Sequence, residues 1–207
     1  MAEVIALVDY GAGNLRSVAN ALKAAGAEGV AVTADPNVVR AADRIVLPGV
    51  GAFKACIEAL RGVPGLVEAM SERVLVGGAP FLGICVGMQL LADRGIEFGV
   101  TEGLGWIGGE VRAIEPSDAS IKVPHMGWND VVPAVPHPLI EPGEAYFLHS
   151  FGFESDREGE GIVATTEHGG QVTAAIGRDN MLGVQFHPEK SQRYGLALLE
   201  RFLAWRP

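Results

Sequence analysis

The sequence predicts an α/β fold, a doubly wound and mostly parallel sheet with an antiparallel extension. Three observations predict it. Through the first half, apolar runs alternate with segments of helical spacing, as right-handed strand–helix–strand crossovers require. From Trp106 onward the runs are strand-like and joined by Gly/Pro-rich turns, with no long helix between them. Helical spacing returns only in the last segment.

Each element has a local reason. Val4–Asp9 is an unbroken apolar run ending in an acid, the pattern of a strand buried on both faces. Asn14–Ala25 places Leu15, Val18, Ala19, Leu22 and Ala25 on one helical face, and Gly26 stops it. Gly29–Thr33 and Arg44–Leu47 are short strands, the second closed by Pro48. Gly51–Leu60 and Leu66–Arg73 have helical spacing. Pro80–Ile84 is a fourth buried strand with a helix, Val86–Ala92, directly behind it. Trp106–Ile114, Val131–Val132, Ala145–Phe153, Ile162–Thr166, Gln171–Gly177 and Met181–Phe186 are the later strands, expected in one sheet with the first four. Tyr194–Trp205 is a final amphipathic helix.

Composition bounds the function. With 207 residues, 48% hydrophobic and 20% charged, the chain can bury the core of one large domain, and a single domain over residues 1–207 is expected. A net charge of −9 and the lack of a Lys/Arg run argue against a general nucleic-acid binder, which needs a basic face to displace phosphate counterions. An acidic surface still admits a basic partner or a neutral or zwitterionic substrate. The opening MAEVIALVDYGAGN has no basic stretch ahead of its apolar run, so no signal peptide is expected. No run reaches the ~18 apolar residues of a membrane span. Two cysteines in such a chain are expected to be free thiols in the cytoplasm. The Cys and His spacings match no metal motif, and DYGAGNLR departs from the dinucleotide fingerprint at Arg16, so neither metal nor cofactor is expected.

The stretch FLGICVGMQ carries the chemistry. Cys85 stands where a strand turns into a helix, with Gly83 and Gly87 two residues to either side. G-x-C-x-G is the cysteine form of a strained nucleophile elbow, in which side chains at the flanking positions would clash. A helix N-terminus there favours the thiolate, and the Val86 N–H is placed to meet a substrate oxygen as an oxyanion donor. The competing reading is a small buried filler, which is how Cys56, in the helical FKACIEAL without glycines, is read.

A cysteine nucleophile needs a base and a group to orient it. GVQFHPEK supplies both. His187 falls at a strand end, and Glu189 is two residues on, so both side chains point the same way along an extended chain. His137 lies between prolines, His168 in the turn EHGG, His149 inside the strand YFLHS and His125 in the loop PHMGW, and each competes less well. Cys85, His187 and Glu189 are therefore expected to form a catalytic triad.

GICVGMQ together with QFHPE resembles the class I (triad) glutamine amidotransferases. PGVGAF (Pro48–Phe53), PHMGWN (Pro124–Asn129), YFLHS, HPEKS and the opening VDYGAGNL resemble one subfamily, the glutaminase subunits of imidazole glycerol phosphate synthases. These motifs span essentially the whole chain. The resemblance implies a flavodoxin-like amidotransferase domain with a nucleophile elbow, which takes ammonia from glutamine through a cysteinyl thioester. It also implies a heterodimeric partner, a (β/α)8-barrel cyclase that receives the ammonia and forms imidazole glycerol phosphate and aminoimidazole carboxamide ribotide.

The resemblance assigns further residues. Gly49, Val50 and Gly51 would form an oxyanion strand able to flip a peptide. Gln89, Glu97, Ser150 and Phe151 would bind glutamine. Gly11, Gly13, Asn14, Trp128, Asn129, Tyr146 and Lys190 would meet the cyclase. Taken singly, PGVG is also a tight turn, Gln89 a solvated helix face, Glu97 a surface acid, Trp128 a core cap and Lys190 a solvated lysine. Three other functions compete. A different class I glutaminase would not need PHMGWN and YFLHS. A cysteine hydrolase of similar architecture would not need HPE and Gln89. A pseudo-glutaminase binding subunit would not need the intact triad.

Overall fold

In a computed structural model, which describes residues 3–118, 120–157 and 159–207, the first half alternates as the sequence predicts. Its elements are β1 (Val4–Val8), α1 (Leu15–Ala24), β2 (Gly29–Thr33), α2 (Pro36–Ala41), β3 (Arg44–Gly49), α3 (Phe53–Gly62), α4 (Leu66–Ser71), β4 (Phe81–Cys85) and α5 (Val86–Gln89). The second half holds β5 (Arg94–Ile96), β6 (Val100–Glu102), β7 (Glu110–Ala113), β8 (His125–Pro133), β9 (Gly143–His149), β10 (Phe151–Glu154), β11 (Ile162–Glu167), β12 (Gln171–Arg178), β13 (Met181–Val184) and α6 (Gln192–Ala204).

Among the described residues the main sheet has nine strands in the order β2-β1-β3-β4-β13-β12-β11-β8-β9. Strands β2 to β13 in that row pair in parallel, and the remainder pair antiparallel. The parallel part has the flavodoxin-like order, which opens a crevice at the carboxyl ends of the strands. β3 and β4 are buried at every residue, matching their continuous apolar runs. Asn14 caps α1 by accepting from the Ser17 N–H at 3.4 Å. Arg44 is wholly buried and holds the C-terminal helix, donating to the carbonyls of Phe202 (2.8 Å) and Trp205 (2.9 Å).

Several expectations need correction. The later strands do not all join one sheet: β10, β7, β5 and β6 form a separate four-stranded sheet. The run Ala145–Phe153 is two strands, because the chain breaks at Ser150, whose carbonyl accepts from Ile114 N–H at 2.9 Å, and crosses to the second sheet. In PHMGW, His125–Trp128 are strand, not loop. The N-terminal part of β8 pairs with β9 from His125↔His149 to Val131↔Gly143, and β11 joins β8 only at Val132 and Pro133. The helix behind β4 is a single turn, Val86–Gln89, and α4 continues as a π-helical turn over Glu72–Val76. Helix α2 was not expected from periodicity; its signal is local, with Asp35 accepting from Asn37 N–H at 2.8 Å and Pro36 in the first turn.

Candidate active site

Cys85 sits on the turn from β4 into α5 with φ +55° and ψ −114°, a backbone conformation that costs a non-glycine residue about 1–3 kcal/mol. The turn closes only without neighbouring side chains. A Cβ on Gly87 would stand 1.9 Å from the Leu47 carbonyl oxygen, and one on Gly83 would stand 2.6 Å from the Gly87 oxygen. Cys85 is 4% exposed. Because α5 is one turn long, its dipole is a smaller aid to the thiolate than the expected helix would give.

His187 follows β13 and faces Cys85, since β13 and β4 are parallel neighbours with Val184 opposite Ile84. Pro188–Lys190 forms a 3-10 turn, so Glu189 reaches back to its own base: His187 Nδ1 lies 2.8 Å from Glu189 Oε1. That bond places the hydrogen on Nδ1 and leaves Nε2 for the thiol. Burial pushes the imidazole down, but hydrogen bonds to Cys85 and Glu189 overcome it and lift His187 to about 9. The imidazolium is thus the stable form near neutral pH. Glu189 Oε2 is buried without a partner among the described residues, so the carboxylate relies on His187. The base is itself anchored: His187 N–H donates to the Tyr146 carbonyl at 2.9 Å, and Ser191 Oγ donates to the His187 carbonyl at 2.6 Å.

The segment Gly49-Val50-Gly51 runs beside the thiol, with Gly49 opposite Cys85 in the β3–β4 register. A Cβ on Gly49 would lie 2.7 Å from Gly87 N and 2.8 Å from the Tyr10 hydroxyl oxygen. Gly51 has φ +101°. Val86 opens α5 immediately after Cys85 and is buried. Cys56 is buried, as expected, and its thiol donates to the Val50 carbonyl at 3.3 Å. Burial pushes that thiol up, with an opposing hydrogen bond to Tyr10.

A cleft of about 190 Å³ is lined by Val50, Gly51, Cys85, Val86, Gln89, Glu97, Leu148, His149, Ser150, Phe151, His187 and Lys190. It is smaller than the ~300–1,000 Å³ of drug-sized pockets and suits a small polar molecule. The structure therefore gathers the thiol, the base, part of the oxyanion strand and all four residues expected to bind glutamine. Gln89 is not a solvated helix residue: it is buried, with Nε2 donating to the Phe151 carbonyl (2.9 Å) and to Gln185 Oε1 (3.0 Å). With both amide hydrogens committed, it offers a ligand only its oxygen. Glu97 accepts from Phe53 N–H at 2.7 Å through Oε2. A roomier groove of about 610 Å³, lined in part by Arg112, Phe153, Thr165 and His168, holds no thiol.

The residues expected to meet a partner lie outside the cleft, except Lys190. Trp128 and Tyr146 are opposite each other on β8 and β9, with ring centroids 6.2 Å apart, and Lys190 Nζ stands 5.8 Å from the Tyr146 ring. Trp128 is 47% exposed beside Met126 at 65% and Leu148 at 37%, so it does not cap the core. Asn129 points to the inner side of the ribbon and bonds His125 at 3.0 Å. Gly11, Gly13 and Asn14 occupy the β1–α1 turn; a Cβ on Gly13 would meet Pro48 at 3.0 Å, which puts this turn against the oxyanion strand.

Two residues of the site escaped the sequence reading. Gln185 is wholly buried, touches Gln89 and brings Nε2 to 3.8 Å from Cys85 Sγ. A glutamine within an apolar strand run, two residues before His187, was the available signal. Tyr10 donates to the Pro48 carbonyl at 2.8 Å and so braces the oxyanion strand. Burial raises its phenol far above the ordinary range.

Among the described residues no helix is long and apolar enough to cross a membrane, and no three His, Cys, Asp or Glu side chains are grouped to hold a metal. The family model for glutamine amidotransferase class-I matches residues 6–205. The chain is 62% identical over 206 residues to the imidazole glycerol phosphate synthase subunit HisH of Zymomonas mobilis, covering 98% of this chain and 96% of that one. It is 54% identical over 213 aligned positions to the subunit of the same name from Rhodospirillum rubrum, covering 98% and 99%. Among solved structures, a glutamine amidotransferase aligns with TM-score 0.75 at 19% identity over 97% of both chains. PurLQS from Thermotoga maritima aligns at 0.74 and 19% over 99% of both. These two likenesses concern the fold.

Proposed function

The chain belongs to the class-I glutamine amidotransferases and, within them, to the HisH subunits of imidazole glycerol phosphate synthase, and from that membership we propose that it is the glutaminase of such a synthase, acting in histidine biosynthesis. The observation that carries the reading is Cys85 on a strained elbow, in one small cleft with His187 and with Gln89 and Glu97.

The free Glu97 oxygen receives the glutamine ammonium, the Gln89 oxygen accepts from the substrate's side-chain amide N–H, and the segment Ser150–Phe151 walls the other side. Cys85 Sγ bonds to the side-chain amide carbon, its proton resting on His187 Nε2. The resulting oxyanion meets the Val86 N–H and the Gly49–Gly51 strand. The C–N bond then breaks, His187 protonates the departing nitrogen, and ammonia leaves a cysteinyl thioester. Water, deprotonated by His187, hydrolyses the thioester to glutamate and restores the thiol. Glu189 holds the tautomer and the cation throughout. No cofactor is needed for these steps.

The ammonia passes to a (β/α)8-barrel cyclase subunit, docked as a one-to-one cytoplasmic heterodimer on the face formed by Trp128, Tyr146 and Lys190 and bordered by the Gly11–Asn14 turn. The whole chain acts as one domain. An exposed apolar patch of Met126, Trp128 and Leu148, with Asp130, Glu144 and Lys190 exposed nearby, supports that docking face.

The test is glutamate release from L-glutamine, with the protein alone and with the cyclase and its nucleotide ligand. Strong activation in the ternary mixture is expected, and Cys85→Ala should abolish it while free ammonia still feeds the cyclase. Activity indifferent to the cyclase would move the chain to another amidotransferase branch. No glutamate from a folded protein would end the glutaminase reading.

A further inference from the structure

A second polar cluster lies on the inner face of the β8–β9 ribbon, reaching the cleft through His149 but outside the triad. His125 and His149 are both buried there. The His125 ring is clamped between Phe147 (centroids 4.6 Å apart) and His168 (4.2 Å). His168 is held in place by Nε2, which donates to the Lys122 carbonyl at 2.9 Å.

The hydrogen positions in this cluster follow from its acceptors. The Phe151 carbonyl can only accept, so His149 Nδ1, 2.9 Å away, carries a hydrogen. Burial pushes His149 down to about 4, the Phe151 carbonyl only partly opposing it, and burial with the neighbouring histidines pushes His125 down to about 3. Each ring therefore carries one hydrogen near neutral pH. His149 Nε2 must accept, and its donor is His125 Nδ1 at 3.0 Å. His125 Nε2 must then accept in turn, from Asn129 Nδ2 at 3.0 Å. The second amide hydrogen of Asn129 goes to the Glu167 carbonyl at 2.8 Å, and Asn129 Oδ1 accepts from Asp130 N–H at 2.8 Å. A flipped amide would set two oxygens against each other at Glu167, so the orientation is determined.

The chain of donors ends on the carbonyl that also receives Gln89 Nε2, and so occupies both lone pairs of Phe151 O. Gln89 continues to Gln185, which reaches the Cys85 sulfur. Because the facing ring nitrogens bond one another, they are not offered to a metal. Buried polar rows cost stability against an apolar core, and this one is satisfied at each link, which points to a positioning role.

Resting on the glutaminase reading, we propose that Asn129, His125 and His149 form a one-directional hydrogen-bond relay that positions the Phe151 carbonyl, and with it Gln89, for glutamine binding. His149 is the positioning residue nearest the substrate, and Asn129 the outer end, adjacent in sequence to Trp128.

The test combines ring NMR with steady-state kinetics on the full chain in complex with the cyclase. Long-range ¹H–¹⁵N spectra of the wild type should show both His125 and His149 as Nδ1–H tautomers. His149→Leu should raise the KM for glutamine about tenfold with kcat changed less than threefold. His149→Asn keeps a donor where Nδ1 stood and should bring KM back to within about threefold of wild type. An Nε2–H tautomer on either ring, or a KM unmoved by His149→Leu, would overturn the relay. If His149→Leu does not fold, the tautomers and the His149→Asn KM decide. A wild-type chain that releases no glutamate would sink the glutaminase reading, while the ring nitrogens would still settle the order of the relay.

Discussion

Replacing Glu189 by Gln removes the charge on His187 Nδ1 while keeping the size of the side chain. The imidazole stands at about 9 in the folded protein, against an ordinary 6.5, which corresponds to about 3 kcal/mol in favour of the cation. Burial works against the cation, so the bonds to Cys85 and Glu189 together contribute more than that net figure. Losing the Glu189 charge removes one of the two partners that raise the imidazole, so His187 titrates lower in the variant. The alkaline limb of kcat/KM, read as glutamate release with the cyclase present, should lie near 9 in the wild type and move to lower pH in the variant. The rate at neutral pH should fall further, by about 10³–10⁴-fold, because the amide also permits the wrong tautomer. Stability has the same sign. A pKa raised on folding contributes fully below 6.5 and is lost as pH rises through about 9, so the wild-type Tm should drop across that window and the variant's much less. An unmoved alkaline limb with a rate loss below tenfold would refute the assignment of Glu189 as the group that holds the base.

Other substitutions probe the frame around the site. Gly87→Ala forces a methyl to within 1.9 Å of the Leu47 oxygen and should cost at least about 3 kcal/mol, lowering Tm by roughly 6–12 °C by calorimetry. Arg44→Leu strands the carbonyls of Phe202 and Trp205; urea unfolding should show a loss of about 2–4 kcal/mol, with proteolysis beginning in α6. Trp128→Ala should leave stability within about 1 kcal/mol, since the ring is half exposed, yet weaken cyclase binding by about 2 kcal/mol, roughly thirtyfold in Kd by titration calorimetry. An unchanged Kd would remove Trp128 from the docking face.

The parallel half and the elbow were legible because local sequence and burial agree there. Continuous apolar runs gave β1, β3, β4 and β13, and only glycine fits at positions 83 and 87. The second half was read less well for a physical reason. In β8 the usual polarity is inverted: His125 and Val131 face inward and Asn129 is half-buried, while Met126 and Trp128 are exposed. Alternation with apolar residues outside does not register as a strand under a period-2 hydrophobic test. The break at Ser150 was hidden because YFLHSFGF keeps aromatic and aliphatic residues on both sides of His149 and Ser150, and nothing local marks where a strand changes sheets. Gln185 was missed because its reason for being polar lies in Gln89 and Cys85, which are distant in sequence.

That inverted ribbon bears on how docking could govern the chemistry. Tyr146 presents its ring to the exposed face opposite Trp128, and its backbone carries the base: its carbonyl receives the His187 N–H at 2.9 Å, and its N–H donates to Ser191 Oγ at 2.9 Å. The same Ser191 hydroxyl donates to the His187 carbonyl at 2.6 Å. A partner seated on Trp128 and Tyr146, as proposed above, would therefore act one residue away from the His187 imidazole, with no long path between. A misplacement of about 1 Å in a reacting group costs on the order of 10²-fold in rate. A shift of β9 of that size at the proposed docking face would change the rate by that factor with no rearrangement of the core.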